Sequence, residues 1–150
     1  MYKRTEQSML GIVYFLAFIS TTIACNCTYV PATEAICYAD WISHAKVVAF
    51  HNPYRDTTGF YNVMYTVEHI ELFKSYDTTS PLAPVFFISS DEAECFDLSC
   101  GEYIISGRFG ADRTLRASYC QQITDDGLGG FQKYQNVSKA LLTSLQTLKC

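Results

Sequence analysis

A five-stranded Greek-key barrel of the OB type, stapled by disulfides and flanked by a C-terminal helix, is the all-β fold that the sequence predicts. Three observations lead there: five β-rich segments separated by turn chemistry, one apolar stripe of helical period near the end, and seven cysteines in 150 residues. A β-sandwich of the same strands is the alternative arrangement.

The first segment is not part of that fold. Met1 to Glu6 is short and polar and carries Lys3 and Arg4; an apolar run follows from Met9 to about Phe18, then Ser20-Thr21-Thr22-Ile23-Ala24. A charged start, an apolar middle and small residues in an A-x-A-like frame form the pattern of a secretory signal peptide, predicted to span 1–24 and to be cut after Ala24. A membrane-spanning helix needs about 20 apolar residues, and this run is shorter. The rest, 25–150, is the size of one domain with a modest core.

Charge narrows the partners. The chain holds 11 Lys+Arg against 15 Asp+Glu, and removing Lys3, Arg4 and Glu6 leaves 9 against 14. An acidic balance without basic clusters points away from nucleic acid and from anionic membranes. All the cysteines (Cys25, Cys27, Cys37, Cys95, Cys100, Cys120 and Cys150) follow the predicted cleavage point, so they read as a disulfide framework with one thiol left over. Their count alone leaves the pairing open.

The elements follow in order. Residues 25–40 read as irregular. Trp41 to Phe50 is a strand centred on Ala45-Lys46-Val47-Val48-Ala49-Phe50. His51 to Gly59 is turn chemistry, with Tyr54 at its tip. Tyr61 to Phe73 alternates, Val63, Tyr65 and Val67 on one face and Met64, Thr66 and Glu68 on the other. Val85-Phe86-Phe87-Ile88 is a short apolar strand, and Asp91-Glu92-Ala93-Glu94 an acidic loop ending at Cys95. Glu102 to Arg108 is the fourth strand; Gly110-Ala111-Asp112 turns the chain, and Leu115 to Cys120 returns it. Asp125 to Gly130 reads as a flexible break. Val137, Leu141, Leu145 and Leu148 then recur at helical spacing, predicting an amphipathic helix over Val137–Lys149.

Catalytic chemistry is not predicted. The sequence has no His-Glu-x-x-His, Gly-x-Ser-x-Gly or P-loop. Its three histidines, His44, His51 and His69, lack metal-ligand spacing and read as solvent-exposed strand and loop residues. Cys100 has no recognisable partner as a nucleophile. The aromatic residues read mostly as core.

Three motifs together resemble the tissue inhibitors of metalloproteinases. Cys25-Asn26-Cys27 stands at the predicted mature N-terminus. Cys37-Tyr38-Ala39-Asp40 with His44-Ala45-Lys46-Val47-Val48 is similar to the segment after the family's third cysteine. Glu102-Tyr103-Ile104-Ile105-Ser106-Gly107-Arg108 is similar to its Glu-Tyr-Leu-Ile-Ala-Gly-Lys strand. The likeness covers nearly all of 25–150.

The resemblance implies a netrin-like module over 25–150 and a pairing of Cys25–Cys95, Cys27–Cys120 and Cys37–Cys150, with Cys100 spare. It implies a secreted, monomeric inhibitor of extracellular zinc metalloproteinases with no cofactor of its own. In that mechanism the α-amino nitrogen and carbonyl oxygen of Cys25 chelate the protease's zinc, so the only metal contact is through the Cys25 backbone. The amine must be neutral to donate; an unperturbed α-amine, with a pKa of about 7.7–8.0, supplies that form. Asn26 would enter the main specificity pocket, Thr28 and Tyr29 would continue along the cleft beyond Cys27, and Glu92, Ala93 and Glu94 would flank the zinc on the other side.

The sequence departs from the family pattern in several places. Asn26 stands where better-known members have Ser or Thr, and His44 where Arg is usual. The chain stops at Cys150, before the family's second cysteine-rich domain. Asn26-Cys27-Thr28 is also an N-glycosylation sequon; it is expected to stay unused because Cys27 is tied up early, whereas Asn136-Val137-Ser138 is expected to carry a surface glycan. The competing function is a non-inhibitory netrin-like binding module of the extracellular matrix or of signalling, which the Asn26 sequon favours.

Overall fold

Alternating apolar and β-branched residues, with turn residues between them, produce five strands. The computed structural model describes residues 26–52, 63–77, 80–93, 95, 98–147 and 149–150. The strands are β1 (Trp41–His51), β2 (Val63–Ser75), β3 (Val85–Ile88), β4 (Gly101–Phe109) and β5 (Leu115–Arg116). They form a closed barrel in the order β1-β2-β3-β5-β4. β1 pairs antiparallel with β2 and β4, β2 with β3 and β4 with β5, whereas β3 and β5 run parallel. This is the predicted OB-type, netrin-like barrel, and closure rules out the sandwich. Three register shifts between β1 and β2 bend these long strands around the barrel.

The barrel interior is filled by Trp41, Ala45, Val47, Val63, Tyr65, Val67, Phe86, Ile88, Tyr103, Ile105 and Leu115. A second core lies outside the wall, where Ile42 of β1 and Ile104 of β4 meet Ala35, Ile36, Ile123, Leu141 and Leu145. Both faces of β1 and β4 are therefore covered, which is why 41–45 and 103–107 are buried without a break. Ile104 is wholly buried, and burying such a side chain contributes about 1.5–3 kcal/mol. Gly107 lets β5 approach: a Cβ there would lie 2.1 Å from the Arg116 carbonyl oxygen and 2.8 Å from the Trp41 ring.

Among the described residues three α-helices accompany the barrel: α1 (Ala32–Tyr38), α2 (Ser90–Ala93) and α3 (Lys139–Thr147). The first corrects the irregular reading of 25–40. Pro31 precedes it, Glu34 sits in its first turn, and Ala35 and Ile36 are buried, but two turns are too few to show a period. Lys74 caps its C-terminus, donating from Nζ to the carbonyls of Ile36 at 2.9 Å and Cys37 at 3.1 Å. Burial lowers the Lys74 pKa, with nearby Asp40 opposing. Asp91, Glu92 and Ala93 of the acidic segment lie in α2 rather than in a loop; Glu94 lies outside the described residues.

β5 is shorter than expected, because the chain leaves the sheet and makes a 3-10 turn at Tyr119–Gln121. Helix α3 starts after Ser138, not at Val137, whose backbone is extended. The Ser138 hydroxyl caps it, accepting from the Leu141 amide at 3.0 Å. Leu141 and Leu145 are buried as the stripe predicts.

The histidine reading needs correction at two positions. His44 is buried, stacked on Tyr134 with ring centroids 3.6 Å apart, and its Nε2 lies 2.9 Å from Glu102. The outer layer that covers β1 covers it too. His69 is half-buried, with Nε2 2.9 Å from the Ala83 carbonyl and Nδ1 2.8 Å from the Ser43 hydroxyl. A carbonyl only accepts, so Nε2 donates to Ala83; the Ser43 hydroxyl also lies 3.1 Å from the His44 and Glu71 carbonyls. His51 is exposed as expected.

Candidate functional site: the disulfide-clamped N-terminal edge

The segment 26–30 runs along the outside of the domain and is held from below at two points. Cys27 is bonded to Cys120, Cα to Cα 5.1 Å. The Val30 amide donates to the Gly127 carbonyl at 2.8 Å. Between these anchors the side chains face outward. Asn26 and Thr28 are exposed, and Tyr29 is 62% exposed. An exposed ridge held this rigidly loses little freedom on binding, which favours recognition.

The turn beneath the ridge, 125–130, is not the flexible break that its sequence suggests but a hydrogen-bonded platform. Asp126 Oδ1 accepts from the Thr124 hydroxyl at 2.8 Å and the Leu128 amide at 3.0 Å. Gly127, Gly129 and Gly130 all have positive φ, and the Gly130 amide donates to the Tyr119 carbonyl at 2.8 Å. The Asp-Asp-Gly and Gly-Gly pattern is the sequence signal for such a turn. The hydrogen bond from the Leu128 amide, with help from Thr124, lowers the Asp126 pKa. For Asp125, burial pulls upward but is outweighed by hydrogen bonds from Ser138 and Gln132, so its pKa is also lowered.

On the other side of Cys120 lies α2. Glu92 is half-buried, and its carboxylate accepts from the Ser118 hydroxyl at 3.0 Å and the Tyr119 amide at 2.7 Å. Ala93 is the last residue of α2, and Glu94 lies outside the described residues. Cys95 is disulfide-bonded; its expected partner, Cys25, lies outside the described residues, as do the 1–24 segment and Tyr54. The structure thus brings Cys27 and Glu92 to the single stretch 118–120, while Tyr29 lies over Gly127. The second expected bond, Cys37–Cys150, ties α1 to the end of the chain with Cα atoms 5.4 Å apart.

Elsewhere, Cys100 is a free, exposed thiol, its Sγ 3.6 Å from the Val48 carbonyl. Asn136 is exposed at the end of a short 3-10 turn. Among the described residues, no cluster of three or more His, Cys, Asp or Glu side chains could hold a metal ion. Nor is any helix among them long and apolar enough to cross a membrane.

A closed five-stranded barrel with a disulfide-clamped N-terminal edge defines a netrin-like domain. No family model matches the chain. It is 28% identical over 153 residues to "Putative metalloproteinase inhibitor tag-225" of Caenorhabditis elegans, a match that covers 94% of this chain and 97% of that protein. The barrel, the two described disulfides and this similarity agree with the resemblance to the tissue inhibitors of metalloproteinases that the sequence motifs carry.

Proposed function

We propose that this protein is a secreted inhibitor of zinc metalloproteinases, cleaved after Ala24, that acts through its N-terminal edge. A general inhibitory role is supported by the description of its worm relative. The observation that carries the mechanism is the ridge itself: Asn26, Thr28 and Tyr29 face solvent while the backbone is clamped to Cys120 and Gly127. In this reading the protease's zinc is met by the α-amino nitrogen and carbonyl oxygen of Cys25, and Asn26 enters the specificity pocket. Thr28 and Tyr29 follow the cleft, and Ala93 and Glu94 lie across the metal from them. The protein acts as a monomer, without enzymatic activity or a cofactor of its own, and Asn136 carries a glycan remote from the contact.

Adding one alanine before Cys25 tests the mechanism. The extra residue turns the amine into an amide, whose lone pair is delocalised, and fills the space beside the metal. Inhibition of a matrix metalloproteinase is expected to vanish, with an unchanged circular dichroism spectrum and melting temperature, because a chain terminus tolerates extension. A folded, extended protein that inhibits normally would refute zinc capping. The alternative, a non-inhibitory binding module, would then lead. The exposed sequon residue Asn26 favours that alternative.

A further inference from the structure

Glu92 flanks the edge with its carboxylate hydrogen-bonded into the domain. It sits on the four-residue helix α2, in an acidic segment that would ordinarily face water or a partner. Its two carboxylate oxygens are instead divided between neighbouring donors: Oε1 accepts from the Ser118 hydroxyl and Oε2 from the Tyr119 amide. The hydroxyl of Ser118 could find water, but the Tyr119 backbone amide is half-enclosed and needs an acceptor.

We infer that Glu92 is a positioning residue for the inhibitory edge and not a protease contact. Its influence runs through 118–120. Tyr119 starts the 3-10 turn that presents Cys120, and Cys120 is bonded to Cys27. The Tyr119 carbonyl accepts from Gly130, whose turn offers the Gly127 carbonyl to Val30. Both anchors of 26–30 therefore connect to a segment that the Glu92 carboxylate also binds. Losing it frees the base of the ridge, and the ridge must then be ordered at each encounter, which slows productive association. The consequence for inhibition rests on the function proposed above; the brace itself does not.

The experiment uses the full secreted protein and the variants Glu92→Ala, Glu92→Gln and Ser118→Ala. Amide hydrogen exchange is followed across 26–30 and 118–121. Inhibition is measured against two metalloproteinases with differently shaped specificity pockets. Glu92→Ala is expected to speed exchange at Tyr119 and along 26–30, and to weaken inhibition of both proteases alike by about tenfold, the order of one charge-assisted hydrogen bond. Most of that loss should lie in the association rate. Glu92→Gln keeps an acceptor oxygen and should restore most of both readouts. Ser118→Ala removes one of the two bonds, leaves the charge in place and should have an intermediate effect. Exchange along 26–30 unchanged in Glu92→Ala overturns the inference. So does a loss confined to one protease with native exchange, which marks a direct contact. If Glu92→Ala does not fold, native exchange and inhibition in both other variants overturn it equally. If the native protein inhibits neither protease, the inhibitory reading fails, and the exchange result alone decides whether Glu92 braces the edge.

Discussion

Replacing Gly127 with alanine tests whether the turn under the N-terminal edge supports it. Gly127 has φ +69°, and an alanine in that left-handed conformation costs roughly 1–2 kcal/mol. Its Cβ would also lie 2.6 Å from Tyr29 Cε2 and 2.7 Å from the Val30 carbonyl oxygen. The exposed tyrosine ring can swing aside, but the carbonyl is backbone and can move only with the whole segment. That movement breaks the bond from the Val30 amide to Gly127, a loss of about 0.5–1.5 kcal/mol. The sum is about 1.5–3.5 kcal/mol, which for a domain of this size lowers the melting temperature by about 6–14 °C. Circular dichroism melting under non-reducing conditions measures it, and inhibition should fall in parallel as the edge lifts. Tyr29→Ala combined with Gly127→Ala should recover little stability, because the carbonyl clash remains. A melting temperature within about 2 °C of the native value would refute the reasoning, since neither the backbone conformation nor the contact would then carry energy.

Two further predictions concern the C-terminal part. Ser138→Ala removes both the α3 cap and the Asn136 sequon, whereas Asn136→Gln removes the sequon alone. Only the first should lose about 0.5–2 kcal/mol of stability, read by chemical denaturation, while both abolish a glycan at Asn136, read by mass. The hydrogen-bonded carboxylates of Asp125 and Asp126 have lowered folded-state pKa values. Their contribution is thus fully present above the unfolded carboxylate pKa of about 3.9 and is lost as pH falls through the folded values. Melting temperature should therefore drop below about pH 4, and less steeply in Asp125→Asn, whose side chain does not titrate.

Much of the barrel was legible because its strands alternate or are uniformly apolar. Val85–Ile88 emerged with the bounds the sequence suggests, and Phe86 and Ile88 point inward. What alternation could not reveal was the outer layer. A pattern along β1 identifies one buried face, but only the tertiary arrangement shows that α1 and α3 bury Ile42, and that Tyr134 covers His44, on the other. The seven residues of α1 carry start signals but too few turns for a period. At the site, the Cys27–Cys120 and Cys37–Cys150 pairings were legible through family resemblance, since cysteine spacing alone allows many alternatives. The inward aim of Glu92 was not legible, because an acidic run is read as solvated unless its donors, 26 and 27 residues away, are already placed beside it.

The two described disulfides overlap in the chain, one spanning 27–120 and the other 37–150. Any single backbone cut between Cys27 and Cys150 therefore leaves its two products covalently joined, and a cut between Cys37 and Cys120 leaves them joined twice. For a molecule proposed to work against enzymes that sever polypeptides, a nick in an exposed loop is not a release. The pieces remain tethered through the sulfur bridges and cannot diffuse apart.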